Sequence, residues 1–364
     1  MAGLFSEFHL KEITLRNRIV VSPMCQYSAE EGLANTWHVV HLGARAIGGA
    51  AVVIAEATAV SPEGRITSGC TGIWSDQHAE AFAPAARFIK AHGAVPGLQI
   101  AHAGRKASAE VPWQGGKALP ESDPRAWPPI GPSGEAFGGN LPRAPRAMTI
   151  ADIVRVKGDF VAAAKRALDA GFEWLELHYA HGYLAQSFFS PLVNKRNDDY
   201  GGSFENRCRF LIETFEAVRA VWPERLPLTA RLGVIDFVPG EQPLEESIDL
   251  VRRLKALGLD LIDVSLGSNT ADGSRVPRTP AFMVPIAARV RREAAIPAGC
   301  SWYITEATQA DAIIRGEQLD LVLLARAMLD DPHWPYHAAK ALGLAEPHKL
   351  LPPQYARVAS LTPR

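Results

Sequence analysis

Residues 174–183 read WLELHYAHGY, an apolar run that closes on His178, His181 and Tyr183. In an extended strand alternate side chains share a face, so Leu175 and Leu177 address one layer while Glu176 and His178 address the other. The two histidines stand three positions apart, a spacing that sends them to opposite faces of a strand that simply continues. Both can meet one ligand only if the chain turns between them, and Gly182 breaks the pattern there. The stretch predicts a buried strand that ends in a turn over a cleft, with proton-capable side chains on its lip.

The same grammar repeats on either side. NRIVVSPMC precedes TWHVVHLGARAIGGA, AVVIAEATAV precedes DQHAEAFAPAARFIKAHG, and VPGLQIAHAG is followed after a long loop by ADIVRVKGDFVAAAKRALDAG. WLELHYAHG leads to NRCRFLIETFEAVRAVW, LPLTARLGV to PLEESIDLVRRLKALG, and LDLIDVSLG to AFMVPIAARVRREA. IPAGCSWY with EATQADAIIRGE and LDLVLLARAM with HWPYHAAKALG complete the series. Near-continuous apolar strands alternating with amphipathic helices predict a parallel sheet covered by helices. Eight such pairs in 364 residues predict an α/β fold, a (β/α)8 TIM barrel forming one domain over 1–364. A doubly wound open sheet would need fewer strands and a glycine-rich first turn, and no GxGxxG opens a helix here. The interruption at 105–148, rich in Gly, Pro and Trp, is expected to be an ordered capping loop after the third strand. In the C-terminal tail, 345–364, Pro352-Pro353 is expected to stop any helix, leaving either a frayed end or a segment at a subunit interface.

Composition narrows the chemistry. With 47% hydrophobic and 21% charged residues and a formal net charge of -1, the chain can bury a large core and offers no basic tract to nucleic acid or an anionic membrane. It shows neither a signal peptide nor an apolar run of about 18 residues, so it is expected to be cytoplasmic, with no membrane association. Cysteines at 25, 70, 208 and 300 are too scattered for a zinc knuckle, a CxxC pair or an iron-sulfur cluster, and are expected to be free thiols. Small-molecule chemistry is the class that remains.

In such a barrel the chemistry lies at the C-terminal ends of the strands. Strand one ends in Ser22-Pro23-Met24-Cys25-Gln26-Tyr27, strand two in Glu56-Ala57-Thr58, and strand three in Gln99 to His102. Arg231 lies on strand five, Trp302 on strand seven, and Ala325-Arg326 on strand eight. A guanidinium inside a barrel needs an anion or an electron-rich ring, because it cannot shed its charge. Gln99 offers both a donor and an acceptor, suited to a ring edge of alternating C=O and N–H groups. Arg326 offers a fork for a phosphate at the usual phosphate position of these barrels. A phosphate at one end and a polar heteroaromatic ring at the other describe FMN, bound without a covalent link.

The segments NRIVVSPMCQYSAEEG, EATAVSPEGRIT, QIAHAGRKAS, ELHYAHGYLAQSFFSPLVNKRNDDYGGSFENR, TARLGV and LLARAMLDDPHW carry a resemblance that runs nearly end to end. The chain resembles the Old Yellow Enzyme family of FMN-dependent ene-reductases, in particular the bacterial xenobiotic reductase-like class. The resemblance implies that Pro23, Met24 and Cys25 lie along the flavin, that Ala57 meets its O4 edge, and that Gln99 and Arg231 bind its pyrimidine half. It implies that Arg326 holds the phosphate, that His178 and His181 donate to a substrate oxygen, and that Tyr183 gives a proton to the α-carbon. Tyr27 is implied as a further substrate contact, Lys106 as a rim residue and Trp302 as a wall of the pocket. Arg357 is implied to reach a neighbouring subunit's site, which requires a homodimer or homotetramer. NADPH or NADH is implied as reductant, and an electrophilic alkene or nitro compound as substrate. The chain departs from many relatives at Trp302-Tyr303 and Ala325, where they carry glycine. Two other readings stand beside this one: a non-catalytic flavin-binding barrel, and a metal-dependent barrel enzyme using His178 and His181. The histidines lack an evident third ligand, so no metal is expected.

Overall fold

A computed structural model describes residues 3–361. Eight parallel strands close into a barrel: β1 (Ile19–Val21), β2 (Val52–Ala59), β3 (Val95–Ala101), β4 (Trp174–Tyr179), β5 (Leu228–Ile235), β6 (Leu261–Leu266), β7 (Ala298–Cys300) and β8 (Leu321–Leu324). Each pairs with its neighbour in sequence, and β8 pairs with β1. The principal helices are α1 (Thr36–Ile47), α2 (Asp76–Ala91), α3 (Ile150–Asp169), α4 (Phe204–Arg219), α5 (Leu244–Ala256), α6 (Val284–Ala294), α7 (Ala307–Arg315) and α8 (Trp334–Ala341). This is the TIM barrel that the strand–helix alternation predicts.

Strand β4 shows how the layers are made. Leu175, Leu177 and Tyr179 point outward into the shell between sheet and helices, where Phe160 of α3 and Phe210 and Phe215 of α4 are also buried. Trp174, on the opposite face, packs inside with Val20, Val52, Ile54, Leu261, Leu321 and Leu323. A short antiparallel hairpin, Phe8–Leu10 with Ile13–Leu15, adds Leu10 and Leu15 to that inner cluster and closes the lower end of the barrel. Above Trp174 on the same face come Glu176 and then His178. One strand thus carries an apolar floor, a buried charged layer and the lip.

The 105–148 segment makes several contacts through its tryptophans and its backbone. Trp127 donates from its indole to the Glu63 carbonyl and from its backbone to Ser108 Oγ, and the Arg65 guanidinium lies 4.9 Å from its ring centre. A two-residue strand pair, Ile130–Gly131 with Arg146–Ala147, ties the interior of the segment to its C-terminal end. The C-terminal tail departs from expectation, since Pro353–Ala359 is a helix. Proline in the first turn lacks an N–H that would have no partner there, so Pro353 starts this helix instead of stopping it. The tail's last three residues, and residues 1–2, lie outside the described part.

Candidate active site

The turn demanded by the histidine spacing is present. After Tyr179 the chain leaves the strand, and His181 and Gly182 take left-handed φ of 62° and 68°. A Cβ on Gly182 would strike the Ser268 carbonyl oxygen, so glycine is required by both conformation and space. The turn brings the His178 and His181 rings to 5.0 Å, nearly perpendicular at 85°, and sets Tyr183 edge-on to His178 at 4.9 Å.

A backbone amide fixes which nitrogen of His178 carries the proton, and a serine anchors His181. His178 Nδ1 accepts from the Ala180 amide at 3.2 Å, which leaves the proton of a neutral ring on Nε2. His181 Nε2 lies 2.8 Å from Ser265 Oγ, and that hydroxyl accepts from the Trp302 indole at 3.1 Å. A hydroxyl has one proton and two lone pairs, so after accepting from the indole Ser265 can serve either neutral tautomer of His181, and it anchors that ring through Nε2. Burial, with the Arg231 charge adding to it, drives both rings well below the ordinary histidine range and keeps them neutral. Burial likewise drives the Tyr183 phenol well above its ordinary range, so it stays protonated.

Beside this lip opens a cavity of about 570 Å³, a size typical of small-molecule sites. Lys106, Arg231 and Arg326 line it, and no carboxylate does among the described residues. Such a wall suits an anion. The Arg326 guanidinium rests 4.6 Å from the Tyr303 ring centre, and Trp302 and Tyr303 both take left-handed φ, 76° and 59°. The backbone therefore makes a turn that suits glycine better, at a cost of roughly 1–3 kcal/mol per residue. Lys106 belongs to the lip: its ammonium donates to the His181 carbonyl at 2.8 Å and lies 5.3 Å from the Tyr183 ring centre. Burial, assisted by Arg105, lowers it to about 8.

Arg231 is held from three strand ends. It donates to Ser22 Oγ at 3.2 Å and to Ser301 Oγ at 2.8 Å, and its Nε lies 2.9 Å from Asp263 Oδ2. Gln99 donates to Glu176 Oε1 at 2.8 Å, leaving its own oxygen available as an acceptor. Across from the lip, β2 bulges between Ala55 and Thr58, so two residues, Glu56 and Ala57, oppose Gln99. Glu56 Oε2 accepts from the Gln26 amide at 2.9 Å and pins the Pro23–Tyr27 loop. The half-buried Cys25 thiol is pushed well up by burial, against hydrogen bonding with the Ala57 backbone and Tyr27. Met24 packs on the core, and Tyr27, at φ 51°, meets Trp113 of the capping segment edge-on at 5.9 Å.

Of the residues picked from sequence, His181, Tyr183, Arg231, Trp302, Ala325 and Arg326 line the same cavity, and His178 meets His181 and Tyr183 edge-on beside it. Arg357 does not line it: it is exposed on the C-terminal helix. His102 turns away from the lip, its Nδ1 accepting from the Gly104 amide. Sequence reasoning missed Ser265, Asp263 and Ser301, single polar residues whose role shows only when neighbouring strands are aligned. Among the described residues there is no group of three or more His, Cys, Asp or Glu side chains that could hold a metal ion.

A cationic cavity beside two neutral histidines and a tyrosine, at the C-terminal end of a parallel barrel, suits a flavin-dependent oxidoreductase. Comparison with known proteins agrees. Residues 3–344 match the model of the NADH:flavin oxidoreductase / NADH oxidase family. An NADPH dehydrogenase of Geobacillus sp. (strain WCH70) is 43% identical over 342 residues, 93% of this chain and 94% of that protein. A morphinone reductase solved in complex with tetrahydroNAD superposes with a TM-score of 0.79 at 25% identity, covering 98% of this chain and 94% of that one. An Old Yellow Enzyme homologue from Zymomonas mobilis gives 0.77 at 24% identity, covering 97% and 98%. Other matched structures are longer proteins, of which the chain spans about half. The chain belongs to the NADH:flavin oxidoreductase / NADH oxidase family of FMN-dependent, NAD(P)H-using oxidoreductases, and it shares its fold with the Old Yellow Enzyme homologue.

Proposed function

We propose that the chain is an NAD(P)H-dependent ene-reductase that reduces the activated C=C bond of α,β-unsaturated carbonyl compounds, and nitro compounds of similar polarity. The observation that carries this reading is the pair of buried, neutral imidazoles beside an acid-free cationic cavity. The residues fit FMN. Arg326 and the turn at Trp302-Tyr303 would hold its phosphate, Arg231 and Gln99 its pyrimidine edge, and Pro23, Met24, Cys25 and Ala57 its other side, with Ala325 close to the phosphate. FMN, when bound, supplies hydride transfer between nicotinamide and substrate.

His178 and His181 donate to the substrate's carbonyl or nitro oxygen, which draws density from the β-carbon and makes it electrophilic. Tyr183, kept protonated by burial, gives its proton to the α-carbon. Tyr27 and Trp302 shape the rest of the substrate space. A barrel that only bound flavin would have no use for the three lip groups together. The exposed Arg357, beside exposed Tyr355 and Val358, reaches a second copy's site in a homodimer or homotetramer. No described helix is long and apolar enough to cross a membrane, and we place the enzyme in the cytoplasm. Purified protein should be yellow, release FMN on heat denaturation, and bleach when NADPH is added without oxygen. A colourless protein that FMN cannot reconstitute would refute the reading.

A further inference from the structure

One layer below His178, three ionisable side chains meet inside the barrel. Glu176 is 1% exposed, Asp263 0% and Arg231 6%. Arg231 Nε lies 2.9 Å from Asp263 Oδ2, while Glu176 Oε1 accepts from Gln99 Nε2 at 2.8 Å. Two carboxyl groups share one guanidinium, so full ionisation would leave a net negative charge where no water screens it. Neither Asp263 oxygen has an aligned donor among the described residues, which leaves the ion-pair distance to Arg231 as its only compensation. Because the ion pair of Arg231 is made with Asp263, Asp263 keeps the charge and Glu176 takes the proton, burial raising Asp263 only to about 6. Burial and then the Asp263 charge push Glu176 up to about 8, against Arg231 and the Gln99 hydrogen bond. The groups facing Glu176 are Arg231 from β5, Asp263 from β6, uncharged Gln99 from β3 and neutral His178 from its own strand. Cys300 on β7, next to Asp263, is pushed well up by burial and stays a thiol.

We propose that Glu176 is a positioning residue that holds a proton beneath the flavin site and thereby sets the reduction potential of the bound cofactor. The inference rests on the flavin reading above. Two electrons and one proton added to the ring leave one negative charge, which Arg231 faces. With Glu176 neutral, Arg231 and Asp263 sum to zero; when Glu176 releases its proton to solvent, the cluster becomes net negative and opposes that charge. The neutral acid also takes the Gln99 amide as a donor and leaves the Gln99 oxygen toward the ring.

The test is the FMN potential measured across pH in wild type and Glu176→Gln, the isostere of the protonated acid. In wild type the ratio of reduced to oxidised flavin at a fixed electrode potential should fall about tenfold more than the flavin's own slope as pH passes 8, about 30 mV for a two-electron couple. Glu176→Gln should lack this extra fall. Infrared spectra of the wild-type protein should show a carboxylic-acid carbonyl band that bleaches over the same pH range, a readout that does not depend on the variant folding. A yellow Glu176→Gln protein with the wild-type pH dependence, or a wild type without the band, would overturn the inference alone. Wild type that binds no FMN would overturn the flavin reading itself, and this inference with it.

Discussion

A serine hydroxyl lies between Trp302 and His181 and anchors both rings. Removing it in Ser265→Ala leaves the indole N–H and His181 Nε2 without that partner. Phenol binding should weaken and reoxidation by an enone should slow roughly tenfold, the scale of one lost hydrogen bond to a charge-bearing group, while NADPH oxidation by FMN keeps its rate. His178→Ala should slow the same half-reaction more, roughly a hundredfold, on the scale of a lost oxyanion donor, with flavin still bound. Gly182→Ala should cost about 1–3 kcal/mol in urea unfolding, because it forces a side chain into left-handed backbone against the Ser268 carbonyl. At this scale the lip was legible, since HYAHGY concentrates three chemical groups around a glycine. Ser265 was not: one serine in LIDVSL carries no signal until β4 and β6 are brought to the same depth.

Among the elements, the β7 turn separates pattern from conformation. The family resemblance implied glycine where Trp302-Tyr303 stands, and the backbone there adopts a left-handed turn. The side chains that impose the strain also serve, Trp302 on Ser265 and Tyr303 under Arg326. Tyr303→Gly should relieve strain and lose the stack together. Thermal stability then changes by less than about 1 kcal/mol, near the size of an exposed cation–π contact, while FMN dissociates several-fold more readily. Calorimetry and flavin titration would separate the two effects. Helix and strand positions followed hydrophobic period closely, as β4 and α3 show. The N-terminal hairpin escaped notice because three-residue strands are too short to display a period. The C-terminal helix escaped because a proline pair reads as a stop until one asks which turn it occupies.

The whole molecule keeps its charges where they are neutral or paired, and this sets its pH range. Burial lowers His41 to about 3 and His102 to about 4, and lowers His178 and His181 as well. These groups protonate near 6.5 once unfolded, so the unfolded chain binds more protons below that pH. Their contribution is present above 6.5 and is lost as pH falls toward 4. The urea midpoint should drop steadily over that interval, and a flat midpoint would show that these histidines are not buried neutral. Glu176 acts at the other end: its raised value favours the fold below the ordinary glutamate range, and that advantage fades as pH climbs to about 8. The barrel itself was readable from eight strand–helix pairs. The stacking of floor, charged layer and lip inside it was not, because it depends on register between strands far apart in the chain.

The central claim is that the two histidines and Tyr183 turn a flavin barrel into a reductase of activated alkenes. The most direct measurement reduces the enzyme with one equivalent of NADPH under anaerobic conditions, then mixes it with 2-cyclohexen-1-one in deuterated water. The account predicts that the flavin colour returns without oxygen and that the product is cyclohexanone carrying one solvent deuterium at the α-carbon. Flavin that stays reduced until oxygen is admitted, with the enone recovered unchanged, would contradict it.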